Sequence, residues 1–166
     1  MAVKEILQVG HPVLKKVSEP VKKIDKQILI LLNDLVDTMY HSEGVGLAAP
    51  QIGVNKRVVV IDIGDDTGLL ELINPEIISY ENEVTDLEGC LSVLGMVGDV
   101  CRYEHVVVQA VSRQGKRIRV KGSGLLARAL QHEIDHLDGK LYIDKAMNVR
   151  KAAPPEPEFA EGDKPE

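Results

Sequence analysis

Two histidines and a glutamate stand at a spacing that suits metal-dependent hydrolysis. They are His132, Glu133 and His136, in the pattern HExxH, within a stretch that is predicted to be helical. Residues four apart lie on one face of a helix, so both imidazoles can reach one metal ion, with Glu133 placed to act on a water molecule beside it. The same pattern also occurs in helices whose polar face is merely solvated, and by itself it leaves that alternative open.

The two histidines need a further ligand, because a catalytic metal site usually has three protein ligands and one position open to water. After Gly139 the sequence offers only Asp144 and an acidic C-terminal segment. Upstream, Cys90 provides a thiol beside Gly89, where backbone can come close to a bound group. A single cysteine is more often a small buried hydrophobic residue, so this segment alone does not decide the third ligand.

The elements that must position these side chains are predicted by hydrophobic periodicity. An amphipathic helix is predicted over 25–41, with Asp25 as its N-cap, and a second helix over 123–139, from Ser123 to Gly139. Short β-branched runs separated by Gly, Asn, Pro and Asp predict strands at 57–63, 69–80, 105–112 and 117–121. The glycine-rich stretch at 44–51 is typical of a turn that leads into a strand.

Composition limits the classes of function. The 166 residues suit one domain, and 44% hydrophobic with 28% charged residues is typical of a globular protein. The net charge of −6, the scarcity of aromatic residues and the lack of a Lys/Arg cluster argue against nucleic-acid binding. No apolar run approaches the roughly 18 residues of a membrane helix, and the N-terminus lacks a signal core, so a cytoplasmic location is expected.

Taken together, three segments resemble the peptide deformylase family, whose pattern is GxGxAAxQ, then EGCxS, then QHExDH. Here they read GVGLAAPQ at 44–51, EGCLS at 88–92 and QHEIDH at 131–136. They match in order and at the expected separations, and the resemblance extends from Ile6 to about Ala146. It implies a hydrolase that removes the N-formyl group from the N-terminal formylmethionine of nascent peptides and releases formate.

The resemblance also implies the metal site. Cys90, His132 and His136 would hold one divalent metal ion together with a water molecule, and Glu133 would act as the acid and base. Iron(II) is favoured as the native metal, while zinc, nickel or cobalt also suit one thiolate and two imidazoles. In the family mechanism, the oxygen of the formyl carbonyl group becomes negatively charged. The side-chain amide of Gln51 and the backbone N–H of Leu91 donate hydrogen bonds to it.

Substrate binding is expected along two backbone segments. Gly44 to Gly46 and the stretch before Cys90, including Gly89, can present edge backbone to an extended peptide, and family members bind substrate as an added strand. The methionine side chain would enter an apolar pocket, whose candidate residues are Val45, Leu91, Leu125 and Ala129. Packing in the hydrophobic core is the alternative role for each of these four.

Four positions depart from residues common in the family: Leu94, Val97, Cys101 and Arg128. The first three follow the second motif, where many members have Pro, Arg and Pro, and they affect the rim of the site. Arg128 stands beside the expected pocket, where family members often have an apolar residue. Arg102 and Asp135 are expected to pair and to support the metal-bearing helix.

The prediction is therefore an α+β fold, in which antiparallel strands pack around a central HExxH helix and an amphipathic helix lies near the N-terminus. Residues 1–147 form the catalytic domain, and 148–166, rich in Pro and Glu, form a disordered tail. Contact with the ribosome is expected to be weak, because the prolines of this tail would break a C-terminal helix. Two alternative functions remain: another HExxH metallopeptidase, and an inactive relative that binds formylated peptides.

Overall fold

The computed structural model describes residues 2–153 and has the predicted α+β architecture, built on one antiparallel sheet. The helices in this part of the chain are α1 (Lys26–His41) and α2 (Gly124–Leu137). The strands are β1 (Gly46–Ala48), β2 (Val58–Ile61), β3 (Leu70–Cys90), β4 (Val93–Val111), β5 (Arg117–Ser123) and β6 (Met147–Lys151). No helix within these residues is long and apolar enough to cross a membrane.

The sheet has the order β1-β2-β3-β4-β5, and β6 pairs with the far end of β4. Its largest part is the hairpin of β3 and β4, which runs well beyond the predicted strand at 69–80. Asn74, with φ of 50°, and the proline after it interrupt the pairing between Ile73 and Glu76. Beyond this break β3 continues as a mostly exposed strand to Cys90, which pairs with Val93 across the turn. The hairpin therefore places Cys90 at its tip.

Helix α1 begins where the sequence offers a cap. The Asp25 carboxylate accepts a hydrogen bond from the backbone N–H of Ile28 at 3.0 Å. One face of the helix buries Leu32, Leu35 and Met39 in a core that includes β2 residues such as Val58 and Val60. The exposed side of the helix carries Lys26, Gln27 and His41, together with Ile30 and Tyr40. This packing supports the strand pair β1 and β2 from one side.

Helix α2 packs against strands β1 to β5. It buries a stripe of apolar residues in the second core cluster: Leu126, Leu130, Ile134 and Leu137. A Cβ at Gly122 would lie 2.8 Å from a methyl group of Leu130, so only glycine lets the helix approach β5 this closely. Truncating Leu130, which is fully buried, to alanine would cost about 2–5 kcal/mol of stability. The backbone of α2 is thereby held firmly against the sheet.

The C-terminal boundary of the domain differs from the prediction. Residues 148–151 belong to β6, which pairs with β4 at Met96 and Val97, so the predicted boundary at residue 147 was placed too early. These strand residues are all exposed, so they have no buried apolar face that the sequence could have indicated. The rest of the predicted tail, 154–166, lies outside the described residues.

Candidate active site

Three potential metal ligands converge where the hairpin tip meets α2. The Sγ atom of Cys90 lies 3.4 Å from Nε2 of His136, and the Nε2 atoms of His132 and His136 are 3.3 Å apart. All three donor atoms lie within 4.8 Å of one another. One thiolate and two imidazoles form a donor set that suits borderline divalent metals. The helix supplies two ligands four residues apart, and β3 supplies the third.

Behind His132 lies a carboxylate that the sequence analysis did not single out. Oε1 of Glu88 is 2.8 Å from Nδ1 of His132, which leaves Nε2 of that ring directed at the metal position. Arg102 binds both oxygens of Glu88 and also donates to Asp135 at 2.9 Å, so the predicted pair of Arg102 and Asp135 is present. The place of Glu88 within the EGC motif was the available signal.

The electrostatic environment keeps Glu88 ionised. Burial by itself raises the pKa of this carboxyl group, but hydrogen bonds from His132 and Arg102 outweigh burial and lower the pKa to about 2. An anion in this position accepts the Nδ1 proton of His132 and increases the basicity of the opposite ring nitrogen. Both effects favour metal binding by Nε2.

Glu133 is a buried acid in the wall of the cavity. Its side chain is 4% exposed, and burial raises its pKa to about 7. Its Oε1 atom is buried and has no hydrogen-bond partner among the described residues. A buried polar atom is costly unless another group satisfies it, so the carboxylate has a vacant acceptor for a water molecule or a substrate proton. Its location and pKa suit a general base.

Gln51 is held rigidly beside Cys90. Its Oε1 accepts a hydrogen bond from the backbone N–H of Ala48 at 2.9 Å, which assigns Nε2 to the opposite side. Nε2 donates to the hydroxyl of Ser92 at 3.1 Å and lies 3.7 Å from Sγ of Cys90. The amide N–H groups therefore face the candidate metal centre. Sequence reasoning overlooked Ser92, although it ends the second motif.

A cavity of about 460 Å³ opens beside these groups. Its wall includes every predicted substrate-binding residue: Gly44, Val45, Gly46, Gly89, Leu91, Leu125 and Ala129. Val45 and Leu125 are exposed at its rim, whereas Ala129 is buried. Arg128 and Leu94, two of the departures from the family pattern, also line it. His136 is buried behind the other ligands and does not line the cavity.

Comparisons with known proteins identify one family. The family model of polypeptide deformylase matches residues 3–152. A peptide deformylase from Pelotomaculum thermopropionicum is 55% identical over 156 residues, covering 94% of this chain and 99% of the relative. The crystal structure of a peptide deformylase from Legionella pneumophila matches with a TM-score of 0.85 and 48% identity, covering 89% of this chain and 88% of that one.

A second solved structure, a peptide deformylase from Synechococcus elongatus in complex with actinonin, matches with a TM-score of 0.83 and 39% identity. The match covers 87% of this chain and 79% of that chain. The family model spans nearly all of the described residues, and the relatives share both sequence and fold over most of their length. The chain belongs to the polypeptide deformylase family.

Proposed function

We propose that a divalent metal held by Cys90, His132 and His136 carries the reaction of this family, the hydrolytic removal of the N-formyl group from nascent polypeptides. The observation that supports this most directly is the convergence of the three donor atoms next to Glu133, whose buried Oε1 has no partner in the described residues. When bound, the metal supplies Lewis acidity, which makes water more acidic and polarises the formyl carbonyl group.

Glu133 moves the proton. Its carboxylate accepts a proton from the attacking water and later delivers it to the amine that leaves, so that formate and a free N-terminal methionine result. The pKa of about 7 suits both steps at neutral pH, because the group can exist in either protonation state. The vacant Oε1 provides the acceptor that this role needs.

Gln51 and Leu91 stabilise the charge that develops on the formyl oxygen. The Nε2 group of Gln51 is already oriented towards Cys90, so donation to an oxygen in this region needs little rearrangement. The backbone N–H of Leu91, next to Cys90 at the hairpin turn, is the second donor. A single donor of this kind typically contributes about 2.7–4 kcal/mol to the transition state.

The substrate lies as an extended strand between two walls of the cavity, formed by Gly44–Gly46 and by Gly89 with its neighbours on β3. A Cβ at Gly44 would lie 2.7 Å from a methyl group of Leu91, so glycine at this position allows the two walls to lie close together. The methionine side chain enters the apolar part of the cavity, beside Val45, Leu125 and Ala129.

Iron(II) is the proposed native metal, and zinc, nickel or cobalt can occupy the same donor set. The proposed setting is the cytoplasm, where the substrates are nascent chains with N-terminal formylmethionine. We propose that contact with the ribosome through a C-terminal helix is weak. The supporting argument is the sequence of the tail, which contains Pro154, Pro155 and Pro157 and lies outside the described residues.

The two alternatives have less support. A metallopeptidase of the HExxH type needs a third ligand other than Cys90, and within residues 2–153 the group that could hold a metal is Cys90 with His132 and His136. A binding protein with a structural metal usually has four protein ligands and has no need of a buried acid such as Glu133. Both alternatives predict that formylated peptides are not deformylated.

The deciding experiment measures formate release from formyl-Met-Ala-Ser by protein purified without oxygen, with metal content determined on the same samples. The wild type should release formate, and Glu133→Ala should hold its metal but lose most of the activity. An exposed glutamate on β3, replaced in Glu81→Ala, is the matched control and should behave like the wild type. Metal-loaded wild type that releases no formate would favour the binding-protein alternative.

A further inference from the structure

Arg128 occupies an unusual place on the wall of the cavity. It lies one helical turn before His132 on α2, yet its side chain is only 12% exposed. The guanidinium donates to Oε2 of Glu88 at 2.6 Å and to the backbone carbonyls of Val100 at 2.8 Å and Val84 at 2.9 Å. The charged end is thus bound to the hairpin, and the aliphatic stem is left to line the cavity.

These three bonds connect the elements that carry the metal ligands. Val84 and Glu88 lie on β3, the strand that ends in Cys90, and Val100 lies on β4. Arg128 itself belongs to α2, which carries both histidines. The planar guanidinium, which binds a carboxylate and two carbonyl groups at once, fixes the direction of these hydrogen bonds as well as their lengths. Arg128 therefore helps to set the position of the hairpin relative to α2, together with the bond from Arg102 to Asp135.

The ion pairs of Glu88 and Asp135 also distinguish Arg128 from Arg102. Two carboxylates, those of Glu88 and Asp135, lie behind the metal position, and Arg102 bonds to both. Lys145 provides a second cation for Asp135 at 2.9 Å. Arg128 provides the second cation for Glu88, whose side chain is 5% exposed. Hydrogen bonds from the two guanidinium groups hold this buried carboxylate in place beside His132.

We propose that Arg128 is a positioning residue of the metal site, which docks the hairpin onto α2 and holds Glu88 against His132 so that Cys90 and the two histidines converge. The proposal rests on the metal site described under the proposed function. Arg128 does not touch the reacting atoms and acts through Glu88. Its replacement should therefore change metal affinity more than it changes recognition of the peptide.

The test compares Arg128→Met, which keeps an apolar side chain, with Arg128→Lys, which keeps the charge but not the planar guanidinium. The control is Arg113→Met, because Arg113 makes a partly buried ion pair with Glu71 at 2.6 Å, away from the cavity. Cobalt(II) is the probe, and its dissociation constant is measured by competition with a chelator, followed by the visible absorption of the cobalt–thiolate complex. Thermal unfolding and kinetics with formyl-Met-Ala-Ser are measured on each protein.

Arg128→Met should bind cobalt at least about 10-fold more weakly and lose kcat, while the KM for the peptide stays close to that of the wild type. Arg128→Lys should recover part of the affinity. Arg113→Met should lower thermal stability but keep wild-type cobalt affinity. The proposal is overturned if Arg128→Met binds cobalt as tightly as the wild type, or if Arg113→Met weakens binding equally. Wild type that binds no cobalt would overturn the metal site itself.

Discussion

The backbone of Gly46 lies directly against the carboxylate of Glu133: a Cβ at position 46 would be 2.6 Å from Oε2 and 3.0 Å from the Cδ and Cγ atoms. Real Cβ atoms essentially never approach so closely. Strand β1 and helix α2 therefore meet at a contact that only glycine permits. The buried acid of the second helix is positioned by the first glycine-rich motif, although the two are far apart in the chain.

Gly46→Ala tests this contact. The added methyl group must displace the Glu133 carboxylate or push β1 away from α2, at a cost of about 1–3 kcal/mol of stability. Formate release should fall at least about 10-fold while the metal is retained, because Glu133 no longer faces the cavity correctly. Gly115→Ala is the control, since Gly115, with φ of 80°, lies between β4 and β5, where a side chain is strained and no atom of Glu133 lies within 4 Å. Equal losses of activity in the two variants would contradict this explanation.

Removing the metal should destabilise the fold as well as stop catalysis. The ligands come from β3 and α2, and a group that binds only the folded state adds stability that disappears with it. A chelator should therefore lower the Tm of the wild type and abolish formate release, and added metal should restore both. The Cys90→Ala variant should show little further change in Tm with chelator. A wild-type Tm that does not respond would argue against a metal held between these two elements.

Gln51→Ala should separate stabilisation of the transition state from binding. Loss of the Nε2 donor should lower kcat by about 10²–10³-fold, with a smaller effect on the KM for the peptide. The bond from Ala48 is also lost, so thermal stability should fall, and this is measured separately. Gln27→Ala, at an exposed position of α1, is the neutral comparison. A rise in KM with unchanged kcat would assign Gln51 to substrate binding instead.

The hydrogen bond between Tyr40 and Asp62 should make the stability of the fold depend on pH. The Tyr40 hydroxyl donates to Asp62 at 2.6 Å, and this hydrogen bond raises the pKa of Tyr40 to about 12. The folded state favours the neutral phenol, so the contribution to stability is complete below the unfolded pKa of about 10 and is lost as the pH rises through about 12. The pair is largely exposed, and its contribution is small.

An ultraviolet absorbance titration measures the pKa of Tyr40 directly. Tyr40→Phe should remove a tyrosine ionisation near pH 12, and its small loss of thermal stability at neutral pH should vanish at the alkaline end. Asp62→Asn, which keeps an acceptor but removes the charge, should move the ionisation of Tyr40 back towards about pH 10. A Tyr40 ionisation that is already at about pH 10 in the wild type would show that the hydrogen bond does not persist in solution.

Much of the site follows from local sequence. HExxH on a helix brings His132 and His136 to one face by geometry alone, and the capping residue Asp25 marks the start of α1 as predicted. The long extension of β3 and β4 does not follow. Most residues of β3 beyond Ile77 are exposed, and the buried positions of β4 include both Val100 and Arg102, so apolar alternation does not mark the hairpin. Pairing between the two strands holds this hairpin, and β6 joins it for the same reason.

Apart from the expected pair of Arg102 and Asp135, residues that act through partners distant in the chain were beyond sequence reasoning. Glu88 could be noticed as a neighbour of Cys90, but its bonds to His132 and Arg102 exist only once β3, β4 and α2 have packed. Arg128 was noted only as a departure from the family pattern beside an apolar pocket. In the structure its guanidinium is bound to β3 and β4, and the residue lines the cavity.

The sequence by itself indicated the candidate chemistry: two imidazoles and an acid at helical spacing, a cysteine and an amide in two glycine-containing motifs, and an α+β fold to carry them. Residue types and short spacings are local properties, so they can be read along the chain. Only the tertiary structure decided how Cys90 meets the histidines, how Gly46 confines Glu133 and how Arg128 is bound. Those relationships depend on packing between elements that are distant in the chain, which sets distances that no local pattern encodes.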